Sequence, residues 1–129
     1  MRLRKTLIAG LLLAGCGTGA HAADKNADAA FVQTGQAYIG QLAAMDPVLA
    51  TQLGDHSHDG DLPAVGPEAR AARLASDNAL LARLAGIDRK RLSRDSQVDY
   101  ALLKNALEYD VWDLQTLRTW AWNPQVYNS

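Results

Sequence analysis

A chain of 129 residues has room for one domain at most. The net charge of the full chain is −1. Three basic residues, Arg2, Arg4 and Lys5, belong to an N-terminal export segment. Without them the chain has 10 basic and 14 acidic residues, a net charge of about −4. This balance excludes the basic surface that nucleic-acid binding requires. The single cysteine, Cys16, excludes a disulfide bond within the chain.

Residues 1–22 have the pattern of a signal peptide. A basic start is followed by an apolar stretch, residues 7–14, that is too short to span a bilayer as a mature helix. Two cleavage sites compete: Leu-Ala-Gly-Cys, ending at Cys16, matches the bacterial lipoprotein box, and Ala-His-Ala at residues 20–22 matches an ordinary signal-peptidase site. We therefore predict export to the periplasm or cell envelope by either route. Cleavage before Cys16, which we favour, tethers the protein to the outer membrane through a lipid, and cleavage after Ala22 does not.

The mature chain begins with short helical patterns. Residues 23–30 are polar and alanine-rich, which predicts a tether or a frayed helix start, and a first helix is predicted from Ala30 to Met45. A second helix, Pro47 to Leu53, has Asp46 as its N-cap and ends at Gly54. The core face of the first helix is predicted to carry Phe31, Tyr38, Ile39 and Leu42.

A third helix is predicted from Pro67 to about Ala85, with Gly86 after its end. Its apolar stripe is predicted to face the core, and its charged residues are predicted to face out. The inward set is Ala69, Ala72, Leu74, Leu81 and Leu84; the outward set is Arg70, Arg73, Asp77 and Arg83.

The last helix is predicted to be long and uninterrupted. Ser93 is its N-cap, and no Gly or Pro follows until Asn123-Pro124. Two apolar stripes run along it: Tyr100, Leu103, Ala106, Leu107, Val111, Leu114, Leu117 and Ala121 in one, and Val98, Leu102, Tyr109, Trp112 and Trp120 in the other. A helix that is apolar on most sides is buried on most sides. We therefore expect an all-α fold in which residues 31–129 are part of a larger helical domain.

Candidate metal ligands are concentrated in the loop of residues 55–66. His56, His58 and Asp59 are the types of ligand that zinc takes, but no further His or Cys of the mature chain completes a structural site. A calcium loop of the EF-hand type is disfavoured because its twelfth position is glycine rather than glutamate. The favoured interpretation is a polar surface loop whose side chains bond the local backbone and cap the helix that starts at Pro67.

No catalytic or cofactor-binding residue is predicted. The sequence contains neither a nucleophile elbow nor the His-Glu-x-x-His zinc motif. Asp110 and Asp113 face apolar sectors, so each is expected to pair with an arginine of a neighbouring helix. For three tryptophans we favour core packing over a ligand groove: Trp112, Trp120 and Trp122.

Several short motifs occur in a fixed order along the chain. They are Asp46-Pro47, Ala50-Thr51, Gly54-x-His56, Asp59-x-x-Leu62-Pro63, Pro67-Glu68, Leu84-x-x-Ile87-Asp88, Leu92-Ser93, Asp99-Tyr100, Leu102-Leu103, Trp120-x-Trp122-Asn123-Pro124 and Tyr127-Asn128. In order and spacing they resemble the N-terminal part of a bacterial family, domain of unknown function 885 (DUF885). Together they cover about residues 31–128.

The resemblance implies a zincin-like, largely helical fold and an exported zinc-metallopeptidase-like or carboxypeptidase-like protein. The family's zinc motif lies far downstream of the matched region, so no catalytic or zinc-ligand role passes to any residue here, including His56 and His58. Zinc and a peptide substrate are expected only in full-length relatives. We therefore expect an N-terminal segment whose partner is the remainder of the peptidase-like domain, and which is inactive alone. The alternative is a small envelope lipoprotein that acts as a helical binding or scaffold module.

Overall fold

The computed structural model describes residues 24–127, and within this range the chain forms α-helices joined by turns, 3-10 segments, one longer loop and one π-helical turn, with no strand. The predicted all-α class is confirmed. The predicted signal peptide and Cys16 lie outside the described residues. The helices are α1 (Lys25–Met45), α2 (Pro47–Gln52), α3 (Pro67–Ala85), α4 (Arg94–Trp112) and α5 (Thr119–Trp122).

An antiparallel hairpin of α3 and α4 forms the centre of the fold. The Tyr100 hydroxyl of α4 donates to the Leu84 carbonyl near the end of α3, and Arg73 near the start of α3 meets Asp110 near the end of α4. Helix α1 packs against both helices and places Phe31 6.1 Å from the Tyr100 ring, centroid to centroid. The buried core consists of Phe31, Leu80, Leu84, Leu92, Leu103 and Leu107.

Helix α1 begins at Lys25, five residues before its predicted start, so the predicted tether is helical from that residue onward. The Asp24 carboxylate accepts a hydrogen bond from the Asn26 amide, and its own backbone N–H donates to the Arg91 carbonyl at 2.8 Å. This cap and the ion pair between Asp24 and Arg91 hold the first turn. Phe31 and Tyr38 lie against the core as predicted, whereas Ile39 is exposed.

The boundaries of α2 and α3 agree with the predictions. The Asp46 carboxylate accepts from the Leu49 amide at 3.0 Å, and Gly54 after α2 has φ +90°, a conformation that favours glycine. Helix α3 runs from Pro67 to Ala85, and Gly86 is its C-cap. The α3 N-cap is Gly66, which makes no side-chain hydrogen bond, so the prediction that loop side chains cap this helix is wrong.

The predicted long helix is broken. Helix α4 ends at Trp112, a π-helical turn follows over Asp113–Leu117, and Arg118 has φ 55°, in the left-handed region. The Asp113 carboxylate accepts from both the hydroxyl and the amide of Thr119, which starts α5. Asp113 therefore caps α5 across the turn. This hydrogen bond between a side chain and the backbone competes with the hydrogen bonds of a continuous helix, which explains a break in a segment without Gly or Pro.

The two apolar stripes of α4 have different environments. The first supplies Leu103 and Leu107 to the core, while Val98, Leu102 and Tyr109 of the second are exposed. Among the helices of residues 24–127, none is both long and apolar enough to cross a membrane.

Candidate functional site

A guanidinium–carboxylate pair joins α3 to α4 at the open end of the hairpin. Arg73 Nη2 donates to Asp110 Oδ2 at 2.7 Å, and both side chains are partly buried. This confirms the prediction that Asp110 meets an arginine of a neighbouring helix. The same prediction is wrong for Asp113, whose carboxylate accepts from Thr119.

Asp77 is the buried charged group of this region, with only 1% of its surface exposed. Gln41 Nε2 of α1 donates to Asp77 Oδ1 at 2.7 Å, and the Ser76 hydroxyl donates to the Gln41 side-chain oxygen. Asp77 Oδ2 has no hydrogen-bond partner among the described residues, and Arg73 Nε lies 4.0 Å from it. Burial raises the pKa of Asp77, and the nearby Asp110 carboxylate raises it further.

The sequence analysis placed Asp77 on the outer face of α3, and this placement is wrong. Arg73 and Asp77 are four residues apart, which is the usual spacing of a surface ion pair on a helix, so the pattern favoured solvent exposure. The buried side of α3 instead carries Asp77, Leu80 and Leu84. Steps of four, three and four residues from Arg73 lead through Asp77 and Leu80 to Leu84 and mark the buried face. The sequence analysis instead followed the alanine-rich stripe, which marks a different face.

An open groove of about 560 Å³ lies beside the Arg73–Asp110 pair. Its walls come from the end of α1, the loop of residues 61–65, the start of α3, the end of α4 and residues 120–127. The volume is in the range of small-ligand sites. The walls are apolar in part, through Met45, Leu62, Val65, Leu114 and Trp120, and charged in part, through Asp61, Arg70, Arg73, Asp110 and Asp113.

Trp120 forms the aromatic wall of this groove. The Arg70 guanidinium lies 4.0 Å from the Trp120 ring centroid and the Arg118 guanidinium 4.8 Å, both within cation–π distance. Arg70 also donates to the Val65 carbonyl at 2.6 Å, which fixes its position at the groove edge.

Core packing, which we predicted for the three tryptophans, is not what the structure shows. Trp112 and Trp122 are exposed, and Trp120 is half-buried in the groove wall. The break at residues 113–118 ends the α4 stripe before Trp120 and Trp122, so a helical stripe drawn through it misplaces these two rings. Trp112 lies before the break, on the exposed side of α4.

The predicted metal-ligand candidates form two separate pairs. His56 Nδ1 lies 3.0 Å from an Asp59 carboxylate oxygen, and His58 Nδ1 lies 3.0 Å from Asp61. Asp59 also accepts from the Thr51 hydroxyl at 2.7 Å, which ties the loop to α2. Within residues 24–127, no group of three or more His, Cys, Asp or Glu side chains is arranged to hold a metal ion. Two-ligand pairs do not fit a zinc site, which takes at least three protein ligands.

A comparison with protein-family models matches residues 47–129 to DUF885, described as a bacterial protein of unknown function. The match covers well over half of the chain. The chain belongs to the DUF885 family. Searches of curated proteins and of solved structures found no significant match.

The raised pKa of Asp77 predicts a stability that depends on pH. A folded-state pKa above the ordinary value of 3.8 means that the folded protein holds this proton more tightly than the unfolded chain. The stabilisation that comes from protonated Asp77 is therefore complete below pH 3.8. It is lost as the pH rises through the folded-state pKa and the buried carboxyl ionises. Asp77→Asn removes the ionisable group, so its urea midpoint should fall less than that of the wild type between about pH 4 and pH 7.

The exposed Asp99 provides the matched control for this experiment. Asp99→Asn should leave the pH profile of the urea midpoint unchanged. Parallel profiles for wild type and Asp77→Asn would contradict the assigned burial of the Asp77 carboxylate.

Proposed function

We propose that this chain is the N-terminal helical part of an exported zinc-metallopeptidase-like protein of the DUF885 family, and that its groove forms one side of the substrate cleft. Export rests on the signal-peptide pattern and on Cys16 in a lipoprotein box, and cell fractionation tests it. The observation that supports a cleft is the groove itself, because it combines apolar walls with fixed charged groups.

The groove has the chemistry to hold an extended peptide. Its apolar walls suit side chains, and the Arg70 guanidinium, held against Trp120, presents donors for a carboxylate or a backbone carbonyl. Asp61 and Asp113 provide acceptors at the same groove. The described residues do not fit zinc, so in this proposal they bind and orient substrate and take no bond-breaking role.

The second candidate function is a helical binding or scaffold module of the envelope. The exposed apolar side chains of α4 favour it, since large apolar side chains grouped on a helix surface are typical of an interaction site.

Sequencing of the coding DNA beyond the codon for Ser129 tests the proposed relationship directly. We expect a continuing reading frame, directly or after a frameshift, that encodes helical segments with His-Glu and a later His. Absence of any such sequence over some two kilobases would remove the peptidase proposal and favour the binding module.

The role of the groove is tested by Arg70→Ala in the longer, zinc-binding protein that this proposal implies, expressed from the complete reading frame. We expect KM for a peptide substrate to rise about tenfold, because a charge-assisted hydrogen bond to substrate is lost, while the zinc content stays the same. Arg83→Ala is the control, because Arg83 is exposed on α3 and does not line the groove. Equal KM values for wild type and Arg70→Ala would exclude this groove as the substrate site.

A further inference from the structure

The outward side of α4 carries large apolar side chains that the described residues leave half-exposed. The exposed fractions are 44% for Val98, 64% for Leu102, 56% for Tyr109 and 46% for Trp112. With Asn105 between them, these residues follow one another in steps of four, three, four and three. We call this row, Val98, Leu102, Asn105, Tyr109 and Trp112, the α4 seam.

The spacing of the α4 seam is that of a helix that pairs with another helix. Alternating steps of four and three keep one narrow stripe facing a partner, as at the two apolar positions of a heptad. Two of the residues beside the seam, Ala101 and Ala106, are small. Small flanking side chains allow a second helix to approach closely.

We propose that the α4 seam pairs with the α4 seam of a second copy of this chain, antiparallel, about a two-fold axis near Asn105. The seam is small at its start, with Val98 and Leu102, and large at its end, with Tyr109 and Trp112. Antiparallel pairing sets the small end of one copy against the large end of the other, so the two surfaces are complementary in volume. A parallel pair would set the two tryptophans against each other and leave space at the other end.

Asn105 and the helix dipoles support the same arrangement. A single polar residue within an apolar seam fixes the register of a helix pair, since burial opposite an apolar side chain would leave its amide unsatisfied. An antiparallel pair also brings the positive end of each α4 beside the negative end of the other.

The area available matches a weak dimer. Aromatic side chains bury about 150–250 Å² each and Val and Leu less, so complete burial of the exposed halves of these four side chains in two copies removes at most about 900 Å² from water. This area lies below the lower end of stable interfaces, about 1,200 Å² in total, and in the range of weak, transient complexes. Because small interfaces belong to weak complexes, we expect a dissociation constant in the micromolar range.

The inference goes beyond the proposed function, because the seam and the groove share no residue. A dimer formed through the α4 seam leaves the groove open. Failure of the dimer therefore does not affect the assignment of the groove, and the reverse also holds.

Sedimentation equilibrium of the full chain, purified under reducing conditions so that Cys16 does not cross-link, tests the proposal. We expect a monomer–dimer equilibrium across micromolar concentrations. Leu102→Glu should raise the dissociation constant about tenfold or more, because it places a charge in the seam. Ile39→Glu is the matched control, since Ile39 is apolar, 53% exposed and outside the seam, and it should change nothing.

A mixing experiment tests the antiparallel orientation. Leu102→Glu and Tyr109→Lys should each be largely monomeric alone and should form a one-to-one heterodimer when mixed, because residue 102 of one copy lies near residue 109 of the other. Circular dichroism confirms that both variants keep their helix content.

Three results would overturn the proposal. They are a monomer at all concentrations, a dimer that Leu102→Glu leaves intact, and a dimer that Ile39→Glu weakens equally. If the monomer also binds a hydrophobic dye through the seam, the first result assigns the seam to another occupant, such as the remainder of a longer polypeptide.

Discussion

The packing of α3 against α4 is the constraint on which the other contacts depend. Leu84 and Leu107 are buried almost completely at this interface, and the Tyr100 hydroxyl and the Arg73–Asp110 pair hold its two ends. Helix α1 is held by the surface that these two helices create together. Burial of each large apolar side chain contributes about 1.5–3 kcal/mol to the free energy of unfolding. Without the α3–α4 interface, α1 would have no apolar surface on which to bury its own side chains.

The same interface carries a local destabilising group. Asp77 is buried with one unpaired carboxylate oxygen, and burial of a charged group without full hydrogen bonding costs stability. Arg73 is 4.0 Å from Asp77 and 2.7 Å from Asp110, so one cation lies near two carboxylates. Clusters of this kind, placed beside a groove, are typical of functional sites, although ion pairs of purely structural value also occur. This position supports the groove as the place where the domain meets a ligand.

Sequence reasoning succeeded where the structure is determined by neighbouring residues. Asp46 and Ser93 cap helices, and Gly54 and Gly86 follow helix ends, because capping depends on a few adjacent backbone groups.

It failed for one contact between distant residues and for one local break that carries no Gly or Pro. The hydrogen-bond partner of Asp77 is Gln41, which is 36 positions away, and the helical register of α3 indicates the buried face but not this partner. The break after Trp112 depends on a hydrogen bond from Thr119 to Asp113 in a segment without Gly or Pro. The groove follows from that break, since the chain must turn there to bring Trp120 against Arg70.

Hydrogen exchange of the backbone amides in the full chain is the most direct measurement of this account. The slowest exchange should occur in residues 80–85 of α3 and 103–108 of α4, with α1 less protected and residues 55–66 the fastest, because protection follows burial in the core. If α4 exchanges as fast as the loop, or if α1 is the most protected element, the α3–α4 interface is not the centre of the fold and the account is contradicted.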